Sequence, residues 1–206
     1  MVQKALEGSK RRTAVVHGLA GIGKTQLAIA YIRRHQSDYS AVIWMNAIDE
    51  TGLKQSFVQA AKWILRNHQS ITYLADALQS RDLDEIVKAV LMWLDEPMND
   101  RWLVIYDNYD HPLLDNHREK GLRHAPCIEA GPRRDEGRHL PSAFDLHAFL
   151  PETDHGDVIV TTRSPVVKLS QRIRAIHLSK LEDINDSLEI LASVSGRDGL
   201  SLGEYW

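Results

Sequence analysis

The chain has 206 residues, 43% of them hydrophobic, and a net charge of −3 from 25 Lys+Arg against 28 Asp+Glu. That length accommodates one α/β domain with at most a fragment of a second, and the charge balance offers no basic field to attract nucleic acid. The lone Cys127 excludes an intramolecular disulfide and suits a reducing interior. With no apolar run near the roughly 20 residues that span a bilayer, and no signal-like start, a cytoplasmic protein without membrane contact is expected.

Residues 13 to 25 read TAVVHGLAGIGKT. Thr13 to His17 has the composition of a buried parallel strand. The basic triplet Lys10, Arg11 and Arg12 before it reads as a solvated approach. Gly18, Gly23, Lys24 and Thr25 fit G-x-x-x-x-G-K-[ST], and Thr25 to Arg34 carries Leu27, Ala28, Tyr31 and Ile32 on one helical face. Strand, glycine loop and helix are the context a phosphate loop needs. The glycines let main-chain N–H groups turn inward around phosphate oxygens, and the helix start adds partial positive charge. Lys24 would reach the β- and γ-phosphates, and the Thr25 hydroxyl would ligate Mg²⁺. His17, just before the loop, reads as a strand-end residue packed beside it.

Ala41 to Asn46 is a second buried strand. Thr51 to Asn67 follows as a helix with Leu53, Phe57, Ala60, Ala61, Ile64 and Leu65 near one face. Ile71 to Ser80 is ambiguous. Leu83 to Leu94 repeats apolar residues at helical spacing, with Asp82 as cap and Pro97 beyond its end. Trp102 to Tyr106 (WLVIY) is a third strand and ends at Asp107. A carboxylate at the carboxyl end of a parallel strand lies where α/β sheets bind ligands, so Asp107 is the second Mg²⁺ candidate. Asp157 to Thr161 (DVIVT) is a fourth strand, followed by Thr162 and Arg163; Arg163 could meet a γ-phosphate. Thr161 and Thr162 either orient Arg163 or fill strand positions. Ile173 to Leu178 is a fifth strand, and Asp183 to Ser193 a last helix. Trp44, Trp63, Trp93 and Trp102 sit in hydrophobic patterns and are expected in the core. Alternating strands and helices give a parallel, doubly wound sheet.

Residues 112 to 150, rich in charge, His, Gly and Pro, show little periodicity. A loop that long is uncommon inside a compact domain, and a disordered insertion is expected. His117, His124, His139, His147 and Cys127 have spacings that fit no familiar zinc site.

Taken together, HGLAGIGKTQLA, WLVIYDNYD and DVIVTTRS resemble the NB-ARC domain of the STAND class of P-loop NTPases, the switch module of NOD-like receptors; AVIWMNA and LEDINDSLEILASVSG look like its fungal branch. The resemblance covers most of the chain from about Arg12 to Gly199. It implies a P-loop NTPase three-layer sandwich with a five-stranded parallel sheet ordered 5-1-4-3-2. It divides the chain into a nucleotide-binding domain over 1–180 and the truncated start of a helical ARC subdomain over 181–206. Gly18, Gly21, Ile22, Gly23, Lys24, Thr25 and Gln26 are implied to hold the nucleotide, Thr25 and Asp107 the Mg²⁺, and Arg163 to sense the γ-phosphate. The implied cofactors are ADP or ATP with Mg²⁺, and the implied partner is a second copy of the module. Many members follow the metal aspartate with an acidic residue; here it is Asn108, which cannot act as a base. Slow or absent hydrolysis is therefore expected of the switch. Asp110 substitutes only if the backbone turns it inward. A turnover ATPase or small-molecule phosphotransferase and an inactive truncated fragment are the alternatives.

Overall fold

In the computed structural model, the described residues are 2, 6, 11–68, 70–113, 143–167, 169 and 173–180. The element order is β1 (Arg12–Gly18), α1 (Lys24–His35), β2 (Ala41–Asn46), α2 (Glu50–Asn67), α3 (Thr72–Ser80), α4 (Leu83–Asp95), β3 (Trp102–Asp107), β4 (Asp157–Thr162) and β5 (Ile173–Leu178). All strand pairs are parallel, in the order β2-β3-β4-β1-β5. This is the expected 5-1-4-3-2 sheet read from its other edge.

The core forms two layers, one on each face of the sheet. On one face, Ala28 of α1 packs with Ala14, Val16, Leu103, Ile105 and Ile159. On the other, Phe57 and Ile64 of α2 and Val90 and Leu94 of α4 pack with Val15, Val104, Tyr106, Val158 and Val160. A three-layer α/β sandwich follows, with the sheet between two helix layers. Alternate residues of β3 and β4 feed both layers, so these strands are buried along their whole length, as continuous apolar runs require. Local signals set the helix starts. The Asp49 carboxylate accepts from the Gly52 N–H at 2.7 Å, and Asp82 accepts from Asp84 and Glu85. The ambiguous stretch after Ile71 forms α3, which packs Leu74 and Ala77 inward.

Three expectations need correction. Trp93 and Trp102 are buried, but Trp44 and Trp63 are 37% and 39% exposed. Trp44 lies on edge strand β2, where Ala41, Ile43 and Met45 take the inward face and leave Trp44 on the other. Trp63 lies off the α2 stripe that buries Phe57, Ala60, Ala61 and Ile64. Second, the described ends of the stretch expected to be a disordered insertion, 112–113 and 143–150, are part of the fold, while 114–142 lie outside the described residues. Pro112 bridges Phe144, a 3₁₀ turn spans Leu146–Phe149, and Phe144, Leu146, Phe149 and Leu150 are buried. Anchors this close together are too few to show a period. Third, Arg12 is no solvated approach. Its guanidinium grips the buried Asp157 carboxylate at 2.6 and 2.5 Å, and Tyr39 adds a bond at 2.7 Å. Burial pushes the Asp157 carboxyl up, and the Arg12 and Tyr39 bonds pull it back. The network ties the first residues of β1 and β4 together.

The helix expected at Asp183 to Ser193, the ARC segment 181–206, and His117, His124, Cys127 and His139 lie outside the described residues. Among the described residues no group of three or more His, Cys, Asp or Glu is placed to hold a metal, and no helix is long and apolar enough to cross a membrane.

Candidate functional site

β1 delivers the glycine loop to the carboxyl edge of the sheet. Gly18 is buried against β5; a Cβ there would lie 2.6 Å from the Leu178 carbonyl oxygen, so only glycine lets the strands pair this closely. Gly23 is the N-cap of α1 at φ 99°, a left-handed conformation that a side chain disfavours. The loop between them is tight, with the Ile22 N–H directed to the Leu19 carbonyl at 3.4 Å. Gly21 and Gln26 are exposed, Gln26 on the first turn of α1.

Lys24 turns back over this loop. It is 8% exposed, and its Nζ donates to the carbonyls of Gly18 at 3.0 Å and Leu19 at 2.9 Å. Among the described residues no carboxylate pairs with it. A nearly buried ammonium satisfied only by neutral carbonyls favours an arriving anion. The first turn of α1 has no acidic residue, and Gly23 supplies no side-chain cap, so the helix start keeps its partial positive charge.

Thr25, next in α1, donates its hydroxyl to Asp107 Oδ1 at 2.9 Å across 82 residues of sequence. Asp107 is the last residue of β3 and points to the α1 side, in phase with Leu103 and Ile105. Hydroxyl and carboxylate are hard oxygen donors of the kind Mg²⁺ selects. The donor set therefore fits that metal.

Thr161, wholly buried, also points its hydroxyl to this face and donates to Asp107 Oδ1 at 2.5 Å. The Thr161 hydroxyl oxygen in turn accepts the Asn108 N–H at 3.0 Å. Thr161 therefore aims the carboxylate, a role the sequence reading missed. The signal lay in period-two alternation: Ile159 and Thr161 share a face with Ile105 and Asp107. Thr162 faces the other way, and its hydroxyl accepts from the Ser164 N–H at 2.9 Å, shaping the turn that carries Arg163. Asn108, at φ 68°, directs its amide to Asp107 Oδ2 at 3.3 Å.

Arg163 follows β4 at the same edge, and its described partner is Asp110 rather than the loop. Asp110 does turn inward, but to Arg163: it accepts from the backbone N–H and from Nε, both at 2.6 Å. His17 stacks on His177 of β5, with ring centroids 4.9 Å apart. Desolvation, and secondarily its neighbour His177, holds the His17 imidazole below its ordinary pKa.

The structure thus joins Lys24, Thr25 and Asp107 at one edge of the sheet, with Arg163 on the adjoining strand end. The fold is similar to the crystal structure of a Signal Transduction ATPase with Numerous Domains (STAND) protein with a tetratricopeptide repeat sensor from Pyrococcus horikoshii, at 16% sequence identity and a TM-score of 0.48. The match covers 91% of this chain and 24% of that one. No family model matches the chain, and no curated protein matches it.

Proposed function

We propose that the chain is a nucleotide-binding switch module of the NB-ARC kind, holding ADP or ATP on its phosphate loop with Mg²⁺. The observation that supports this most is the 2.9 Å bond between Thr25 and Asp107. It brings the helix start of the glycine loop and the acidic end of β3 to one point, beside an ammonium that no carboxylate among the described residues pairs with. The loop from Gly18 through Gly23, with Lys24, would bind the phosphates, and Thr25 with Asp107 would hold Mg²⁺. When bound, the metal would offset the charge that gathers on phosphate oxygens.

Turnover is expected to be slow. Asn108 offers an amide where a base would stand, and Asp110 is engaged by Arg163. The module would work in the cytoplasm as part of a STAND-class, NOD-like signalling protein, with self-association as its output.

Thermal denaturation with Mg·ADP tests this reading. Ligand at about 100 times Kd stabilises a specific site by about 2.7 kcal/mol. Lys24→Ala should abolish the shift, because the principal cation on the phosphates is lost. A full shift in that variant would overturn the assignment.

A further inference from the structure

His17 and His177 face each other across the β1–β5 pair. They are register partners in parallel strands, and their rings stack with centroids 4.9 Å apart and planes inclined by 29°. Parity puts both on the sheet face of Val15 and Ile173, opposite the α1 face that carries Asp107. On that face Ala175 and His177 are exposed and His17 is half-buried, so water reaches the pair. Among the described residues, neither ring makes a hydrogen bond and no carboxylate pairs with either.

Two adjacent imidazoles with unused nitrogens repel each other when protonated and can share a cation when neutral. Desolvation, with His177 second, keeps His17 toward the neutral, ligating form. Imidazole nitrogen suits Zn²⁺, Cu²⁺ and Ni²⁺, whereas Mg²⁺ selects oxygen. At a Zn–N distance of about 2.0–2.1 Å, two ligands of one ion have nitrogens at most about 4 Å apart. The inclination of the rings brings one pair of edges closer than the centroids. Histidine χ2 is broad and two-fold, so each ring can turn a nitrogen to that edge. We propose that His17 and His177 form a two-imidazole site for a divalent transition ion of the Zn²⁺ type, its remaining positions taken by water. Such an ion would clamp edge strand β5 to β1 one residue before Gly18, at the root of the glycine loop. The site is separate from the oxygen donors Thr25 and Asp107 and does not depend on nucleotide.

NMR of the 206-residue chain, labelled with ¹⁵N at histidine and stripped of nucleotide and metal, tests it. ZnCl₂ is titrated at about pH 7.5, where imidazole is neutral. The ring signals of His17 and His177, assigned by through-bond correlation to their own backbones, should move together and saturate at one zinc concentration. MgCl₂ should leave both in place. In His177→Gln the zinc needed to move His17 should rise about tenfold or more, since loss of even a supporting partner weakens a metal site by about 10–100-fold. His177 is exposed on an edge strand, and circular dichroism checks that this variant keeps the fold; the wild-type titration decides alone if it does not. Either ring unmoved by zinc, or an unchanged His17 midpoint in the folded variant, overturns the inference and leaves the nucleotide reading untouched.

Discussion

The contact most open to decision is the bond from Thr161 to Asp107. Thr161→Val keeps the side-chain shape and removes the hydroxyl. Two groups then lose a partner inside the protein: the Asp107 carboxylate, left with the Thr25 hydroxyl and the longer Asn108 amide contact, and the Asn108 N–H. A hydrogen bond to a charged group contributes about 1.5–3 kcal/mol, and a stranded buried donor costs about 1–3 kcal/mol. Some of this is recovered, because Asp107 sits at a sheet edge that water reaches once the bond is gone. A loss of about 3 kcal/mol is expected, a large share of the 5–15 kcal/mol typical of a folded domain. Urea denaturation read by tryptophan fluorescence measures it as a lower midpoint at constant slope. Thr161→Ser restores the hydroxyl and should recover most of the loss. A Val variant within about 0.5 kcal/mol of wild type, the range of ordinary surface changes, would refute the reasoning.

Gly156 sits at φ 73°, and a Cβ there would run into the Trp102 indole. Gly156→Ala should cost about 3 kcal/mol from strain and overpacking together, again as a lower urea midpoint. Tyr39→Phe removes one donor from Asp157 and the bond to Tyr31 at 2.8 Å; a loss of about 1–2 kcal/mol is expected in the same assay. The pH dependence of His17 has a definite sign. Its pKa is lower in the folded chain than in the unfolded one, so the unfolded chain binds more protons and stability falls as pH drops from about 6.5 toward the folded pKa. Melting temperatures between pH 7.5 and 5.5 should show that slope, and His17→Asn should flatten it.

β1, β3 and β4 were legible because they are short, largely apolar runs ending at glycine, aspartate and threonine. The helices were legible where the stripe was long, as in α2 and α4. Thr72 to Ser80 was not, because nine residues hold few repeats of a 3.6-residue period. Trp44 and Trp63 were misplaced because hydrophobicity does not say which face an edge strand or a helix presents. Phe144 to Leu150 escaped because four anchors lie within a single 3₁₀ turn and its flanks. Motif spacing singled out Lys24, Thr25 and Asp107, and the structure brings Thr25 and Asp107 into contact. Spacing could not identify Thr161 or the Asp110 pairing, which depend on how β3 and β4 align.

That alignment explains why the site exists at all. β4 pairs with β3 on one side, Tyr106 opposite Val160, and with β1 on the other, Val16 opposite Thr161 and His17 opposite Thr162. Three strand ends are thereby brought level, so loop, carboxylate and arginine emerge at one edge. Parity then decides orientation. Asp107 and Thr161 face α1 only because Ile105 and Ile159 do, and those isoleucines are held there by burial against Ala28. A one-residue slip of β3 would turn Asp107 toward the opposite helix layer and strand its charge among Phe57 and its neighbours. The apolar pattern of β3 and β4 thus fixes the acid beside Thr25, and the geometry of the polar edge is a consequence of the core beneath it.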